Sequence, residues 1–167
     1  MKFSACFGIT PSRADDWFDP DLSIDTKLFV DPFLLLDEAS NPRSIWSASH
    51  AQLIEHFARC YDLLAKAGAS GTVSEGIVRG LLTFPEPSEL GLGYTAAGTA
   101  GSGSGPRNAN LIIGSIVTAI AAGLDRPEHI EEIGILNEGV GADRISDAAC
   151  NVLKPTIIRY THGVARR

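Results

Sequence analysis

The sequence predicts a mainly α fold of the α+β class: a single compact helical domain over residues 1–167, with about five helices and a small N-terminal β element. Apolar residues recur at steps of three and four in several segments, which is typical of amphipathic helices. A length of 167 residues fits one domain. Hydrophobic residues make up 44% of the chain and charged residues 20%, which indicates a folded globular protein.

The predicted β element lies within residues 3–36, ahead of the first helix. Its two strand-like apolar runs are at 3–10 and 27–30, and we expect them to pair. The second run ends at Asp31-Pro32, because proline has no N–H group to donate to a neighbouring strand. One small sheet or ribbon is therefore expected.

The helices are predicted from the spacing of apolar residues and from signals at their ends. Gly68 ends the first helix, Ser74 is the N-cap of the second, and Pro155 is expected to kink or shorten the last. The five predicted helices span residues 47–67, 74–84, 108–124, 126–136 and 144–160. Their apolar stripes predict a core that contains Phe57, Tyr61, Leu64, Ile112, Ile116, Ile133 and Val152.

Residues 85–107 are predicted to form a Gly-rich loop, because six glycines and three prolines leave no helical or strand pattern there. Loops longer than about 12–15 residues in compact domains are usually functional or disordered. The loop leads into a helix N-terminus, where backbone N–H groups can bind phosphate, but it lacks the lysine of a P-loop. We favour a loop that becomes ordered against a partner.

Charge, hydropathy and cysteine spacing narrow the classes of function. The net charge of −6 argues against a broad nucleic-acid surface, so contact with nucleic acid is not expected through this acidic chain alone. The longest apolar stretch, 109–124, is shorter than the roughly 20 residues that span a bilayer, so no membrane contact is expected. Cys6, Cys60 and Cys150 have neither disulfide-framework nor zinc-ligand spacing, which favours a cytoplasmic location, and the last two are expected in the core.

Asp143 and Asp147 share one face of the predicted last helix, and two interpretations of them stay open. Like charges four residues apart are mildly destabilising, so something should offset them. In the first interpretation Asp143 caps the helix and Arg144 pairs with Asp147. In the second the two aspartates, with Glu138, bind Mg²⁺ or Mn²⁺ for phosphodiester hydrolysis, because hard cations prefer carboxylate oxygens.

The other polar candidates are weaker. Asp31 follows a strand-like run, a common place for a catalytic acid, but Asp-Pro is also an ordinary turn starter. His50 and His56 are six residues apart on one predicted helix, which is the wrong spacing for joint metal binding. His129 and His162 are isolated in the sequence. No Ser-His-Asp or Cys-His arrangement follows from the spacing.

Three segments together resemble a poorly characterised family of bacterial proteins that is associated with mobile elements and phage defence. They are LSIDTKLFVDPFLL, LLTFPEPSELGLGYTAAGTAGSGSG and GVGADRISDAACNVLK, in that order. They match the family's F-V-D-P, G-L-G-Y…G-S-G-x-G and G-x-G-P-D-R-I-S-D motifs, except that Ala142 replaces a proline. Members of the family usually continue well past the last helix, whereas this chain stops at Arg167. The resemblance therefore implies either a trimmed version or a missing half on another polypeptide, and any activity of that half would be absent here. We call the three the first, second and third motif segments.

The favoured functional hypothesis is a non-catalytic interaction or sensor subunit of a bacterial defence or mobile-element system. A protein partner or a second subunit would contact the Gly-rich loop and the D-R-I-S-D sequence. The acidic net charge and the absence of a lysine within D-R-I-S-D favour this hypothesis. The residues expected at the contact are Gly93, Tyr94, Gly101, Gly103, Gly105 and Arg144.

The alternative is a metal-dependent nuclease or phosphodiester hydrolase. Asp31, Asp143 and Asp147 would be its catalytic residues and metal ligands, and Glu138 a further ligand, with Mg²⁺ or Mn²⁺ as the cofactor. The density of unusual polar motifs favours this hypothesis. Whether the chain is an enzyme therefore stays open at this point.

Overall fold

The structure, a computed structural model, describes residues 1–67, 73–87, 90–93, 105–135 and 139–166. It is mainly helical, as predicted, and the described part contains eight α-helices where the sequence predicted about five. None of these helices is long and apolar enough to cross a membrane. They are α1 (Phe3–Phe7), α2 (Leu34–Glu38), α3 (Ser49–Ala67), α4 (Val73–Leu81), α5 (Gly105–Ala121), α6 (Glu132–Ile135), α7 (Ala142–Val152) and α8 (Lys154–Ala165).

Helix α3 is the centre of the fold, and it contacts α4, α5 and α7. Its buried residues Leu53, Phe57 and Tyr61 follow one another at four-residue steps, so they lie on one face of the helix. The main core joins Phe57 and Tyr61 to the apolar faces of α4 and α5 and to the middle of α7. A second apolar cluster contains Leu53, Ala149 and Leu153. Of the seven predicted core residues, five are buried, and Leu64 and Val152 are partly buried at the edges of the apolar clusters.

Pro155 divides the predicted last helix in two, as expected. Helix α7 ends at Val152 and α8 begins at Lys154, with the buried Leu153 between them. Proline is tolerated in the first turn of α8, because its missing N–H group would have no partner within the helix there. Cys60 and Cys150 are buried as predicted, and Cys6 is exposed.

The predicted strand at 3–10 is wrong. Residues Phe3–Phe7 form a short helix, which ends at Gly8 in the left-handed conformation with φ of 67°. The rings of Phe3 and Phe7 are 4.6 Å apart, a contact that four-residue spacing allows on a helix and that a strand would not allow. Residues 27–30 are not a strand either, and pairing in the described part is limited to isolated bridges near both.

The predicted helix over 126–136 is shorter than expected, because α6 begins at Glu132. The Glu132 carboxylate accepts the N–H groups of Glu128 and His129, at 3.3 and 3.1 Å. These hydrogen bonds satisfy backbone donors of the preceding turn, which leaves 128–131 as a capped turn. The predicted helix over 47–67 begins two residues later, at Ser49.

Candidate functional site at a carboxylate cluster

The three motif segments meet at one place in the fold, and each contributes carboxylates there. Asp25 comes from the first segment, Glu86 from the second, and Asp143 and Asp147 from the third. Partial burial, together with the negative charges of Glu86, Asp143 and Asp25, raises the pKa of Asp147 to about 7. We call these four residues the carboxylate cluster.

Glu86 is subject to the same influences. Partial burial raises its pKa, and the charges of Asp143 and Asp25 act in the same direction. Glu86 lies between two prolines just after α4, where residues 83–87 are irregular. The cluster therefore holds at least two acids, Glu86 and Asp147, whose charged forms are disfavoured by their surroundings.

Helix α7 places Asp143 and Asp147 one turn apart on the same face. The helix begins at Ala142, after Gly141 in an extended conformation, and Gly141 has no side chain to cap its first N–H groups. The predicted capping role of Asp143 is therefore wrong, because Asp143 is the second residue of the helix. It lies in the first turn, where the helix dipole still favours a negative charge.

The predicted pairing of Arg144 with Asp147 is not formed. Among the described residues, the salt bridges join the Met1 amino group to Asp21 and Arg79 to Glu75. Arg144 instead lies beside a narrow apolar crevice with Phe57 and Ile133. Arg144 therefore does not neutralise the charge of the cluster.

The beginning of the Gly-rich loop lies against the cluster. A Cβ atom added to Gly93 would be 3.6 Å from Asp25 Oδ2 and 3.9 Å from Glu86 Oε1. The Gly93 N–H group donates to the Thr26 carbonyl at 3.0 Å, and the Thr26 N–H group donates to the Gly91 carbonyl at 2.7 Å. These hydrogen bonds bring the first and second motif segments together beside Asp25.

The other residues predicted for partner contact have different outcomes. Gly105 is the first residue of α5, and a Cβ atom there would be 3.3 Å from the Phe84 carbonyl oxygen. Its position is therefore one of close packing inside the fold. Tyr94, Gly101, Gly103 and the metal candidate Glu138 lie outside the described residues.

Asp31 does not join Asp143 and Asp147 in the described structure. Its Oδ1 accepts the Phe33 N–H group at 3.0 Å, which makes it the turn starter ahead of α2. The charges that raise the pKa of Asp147 come from Asp25, Glu86 and Asp143. Within the described ranges, no group of three or more His, Cys, Asp or Glu side chains is arranged to hold a metal ion.

Sequence reasoning missed three features of the structure. Asp25 and Glu86 were within the motif segments, but nothing in their spacing linked them to Asp147. His129 is isolated in the sequence, yet its Nδ1 lies 3.3 Å from His50 Nε2, within hydrogen-bonding distance. Sequence spacing does not predict contacts between residues that are far apart along the chain, because only the tertiary fold brings them together.

Comparison with known proteins identifies the family. A family model described as a domain of unknown function, DUF8370, matches residues 8–167. The chain belongs to the DUF8370 family. No curated protein and no solved structure matches the chain. The DUF8370 match spans all four carboxylates of the cluster, and the link to mobile elements and phage defence stays a prediction.

Proposed function

We propose that this DUF8370 chain is a non-catalytic interaction subunit that binds a protein partner at the carboxylate cluster. The observation that carries the proposal is the convergence of the three motif segments on Asp147, with its pKa of about 7. Folding brings together like charges that repel one another, and such perturbed groups are concentrated at functional sites. The partner would belong to a bacterial defence or mobile-element system in the cytoplasm.

The chemistry of the cluster favours a basic group on the partner. An arginine or lysine placed among the four carboxylates would relieve their mutual repulsion and form charge-assisted hydrogen bonds. Arginine suits the site better, because its planar guanidinium group can bind two carboxylate oxygens at once. The net charge of −6 would also attract a basic partner over a longer distance.

Binding of this kind has a definite dependence on pH. A basic group prefers the charged form of Asp147, and the raised pKa keeps part of Asp147 protonated below about pH 7. Binding must then displace the proton, so affinity should weaken below pH 7, by up to about tenfold per pH unit for one linked proton. The same linkage supports the sensor form of the proposal, since small pH changes near neutrality would alter partner binding.

The experiment uses a tetra-arginine peptide as the basic probe and follows backbone amide signals by NMR. We expect saturable shifts at Gly93 and along the first turns of α7. The Asp143→Asn/Asp147→Asn double variant should bind at least about tenfold more weakly, because two charge-assisted contacts are lost.

The matched control is the Glu55→Gln/Asp62→Asn double variant. It also removes two negative charges, from exposed positions on α3, so it separates the local site from net charge. Unchanged affinity in the control is expected. Equal weakening in both double variants would mean that the peptide senses only the overall charge, and the proposal would be wrong.

A metal-dependent nuclease or phosphodiester hydrolase is the second candidate. The raised pKa of Asp147 among three other carboxylates favours it, because a divalent cation would stabilise the charged forms of all four. Asp25 and Glu86 would then replace Asp31 beside Asp143 and Asp147 as ligands, and the four carboxylates would have to move closer together, because in the described structure they are not arranged to hold a metal ion. Mg²⁺ or Mn²⁺ would supply Lewis-acid stabilisation of the phosphate.

Thermal melting with and without Mg²⁺ or Mn²⁺ distinguishes the two candidates. A cation at one hundred times its Kd would stabilise the fold by about 2.7 kcal/mol. The interaction subunit that we propose should show no such shift. A shift that disappears in the Asp143→Asn/Asp147→Asn variant would favour the hydrolase.

A further inference from the structure

A cleft of about 480 Å³ lies between the first motif segment and the start of α7. Residues 27–32 line one side, and Glu131, Ala142 and Ile145 line the other. The volume lies within the range of small-molecule sites, and the surface of the cleft is mostly apolar. None of the four residues of the carboxylate cluster lines it, so it is a separate place on the molecule.

Contacts with the helical core fix the wall formed by residues 27–32. The Val30 N–H group donates to Ser146 Oγ at 2.9 Å, and Ser146 is buried on α7. Pro32 is buried, and the Asp31 carboxylate closes the turn that follows. The cleft is therefore formed by segments that the core positions on both sides.

Glu131 is the unusual group in this cleft. Its Oε1 is covered from solvent and has no hydrogen-bond partner within the described part of the chain. The salt bridges of that part do not involve Glu131. Buried carboxylate oxygens are normally hydrogen-bonded, since losing the hydration of a charged group without a replacement is unfavourable. The side chain as a whole is only half-buried and lines the cleft, so a cation bound there would lie beside a carboxylate that these salt bridges do not neutralise.

We propose that the cleft binds a small organic amine, with its ammonium group at Glu131 and its apolar body against Leu28, Val30 and Ile145. The charges support a cation, because Glu131 and Asp31 outnumber Lys27 among the charged residues of the lining. The ammonium group donates a charge-assisted hydrogen bond to the carboxylate. The apolar walls bind the rest of the ligand by excluding water from it.

Benzylamine is the probe, and benzyl alcohol is its neutral counterpart. We expect saturable NMR shifts confined to residues 27–32, Glu131 and 142–145, with a Kd in the millimolar range, typical of so small a ligand. Benzyl alcohol should bind at least about tenfold more weakly, because it lacks the charge that Glu131 recognises. Absence of saturation by benzylamine at about 50 mM would overturn the proposal.

Two variants locate the site. Glu131→Gln should weaken benzylamine binding about tenfold, whereas Glu128→Gln, which alters an exposed carboxylate in the same turn, should leave it unchanged. Ala142→Phe places a ring in the cleft from an exposed helix position and should abolish binding without removing a contact of the fold. Equal affinity in wild type and Glu131→Gln would contradict the proposal.

The two proposed sites can fail independently. The Asp143→Asn/Asp147→Asn variant should retain benzylamine binding, because neither residue lines the cleft. Loss of benzylamine binding in that variant, with Glu131→Gln unaffected, would assign the amine to the carboxylate cluster and overturn the second site.

Discussion

Residues 1–48 and the helical core have similar apolar compositions, but their apolar residues differ in how far they are buried. In α3 and α5 the apolar residues recur at helical spacing and are buried, and Phe57, Tyr61 and Ile116 are nearly inaccessible to solvent. Of residues 1–48, only Phe3, Ser4 and Pro32 are buried. The difference shows that the helical spacing of apolar residues predicts which of them are buried in the core. The N-terminal region is instead held in place by separate contacts with distant parts of the chain.

Two of those contacts lead to the two proposed sites. The Thr26 backbone bonds to Gly91 and Gly93 and brings Asp25 to the carboxylate cluster. The Val30 N–H group bonds to Ser146 and forms one side of the cleft. The core thus supplies a rigid support, and the irregular region supplies part of each site, a division that is common in folded domains.

The largest effect should come from the core. Ile116→Ala, at a position with no exposed surface, should lower the free energy of unfolding by about 2–5 kcal/mol, because it removes buried contacts and leaves a cavity. Chemical denaturation measures this loss. Val117→Ala, at the next position with 50% exposure, is the control and should cost under about 0.5 kcal/mol. Similar losses for both would mean that α5 does not present Ile116 to the core.

The core was also the part that the sequence predicted best. The stripe of Phe57 and Tyr61 on α3 follows from local spacing, and so does the break near Pro155. The wrong prediction of a strand at 3–10 shows that a short apolar segment does not determine its own secondary structure. Phe3 and Phe7 are compatible with one turn of helix as well as with an apolar strand. Nothing local distinguishes the two states, and tertiary contacts decide between them.

Only the part of the carboxylate cluster that lies on a single helix could be predicted from the sequence. Asp143 and Asp147 share a face on any helix that contains both, so spacing was enough to find them. Asp25 and Glu86 reach the cluster through the backbone bonds of Thr26 with the start of the Gly-rich loop. No periodic signal marks such bonds, whereas the strand-like run before Asp31 points to that residue and not to Asp25.

The hydrogen bond that joins the N-terminal region to the helical core at Ser146 can be tested by mutation. Ser146→Ala removes the acceptor of the Val30 N–H group and should cost about 1–3 kcal/mol, since a partly buried donor loses its partner. Ser115→Ala is the matched control. Ser115 is equally buried, but its hydroxyl bonds to the Leu111 carbonyl within its own helix, so its loss should cost less. Hydrogen exchange should then show faster opening of residues 27–32 in Ser146→Ala alone.

The carboxylate cluster should make stability fall with rising pH. The pKa of Asp147 is about 7 in the folded state, above the ordinary aspartate value of 3.8, so the folded protein retains a proton that the unfolded chain releases. Stability is therefore lost as pH rises between about 4 and 7. Because Asp147 is only partly buried, solvent screening should limit the loss to about 1–2 kcal/mol.

Asp147→Asn should remove the part of this fall that comes from Asp147, whereas the contribution of Glu86 should remain. The variant should be more stable than wild type at pH 8, with little difference at pH 4. Denaturation midpoints across the pH range measure both effects. Asp62→Asn, at an exposed position on α3, is the control and should follow the wild-type profile. An unchanged pH profile in Asp147→Asn would mean that neither burial nor the neighbouring charges disfavour the charged form of Asp147, and the argument for a basic partner would lose its support.

The smallest effect should come from the exposed side of the N-terminal region, where α2 offers a pair of adjacent leucines. Leu34 is 61% exposed, whereas Leu35 packs against the second apolar cluster with Leu53 and Leu153. Leu34→Ala should change the free energy of unfolding by under about 0.5 kcal/mol, and Leu35→Ala should cost about 1 kcal/mol or more, because only Leu35 loses buried apolar contacts. Chemical denaturation of both variants makes the comparison. A larger loss at Leu34 would mean that α2 turns its other face to the core, and the contrast between the two regions would then fail at this helix.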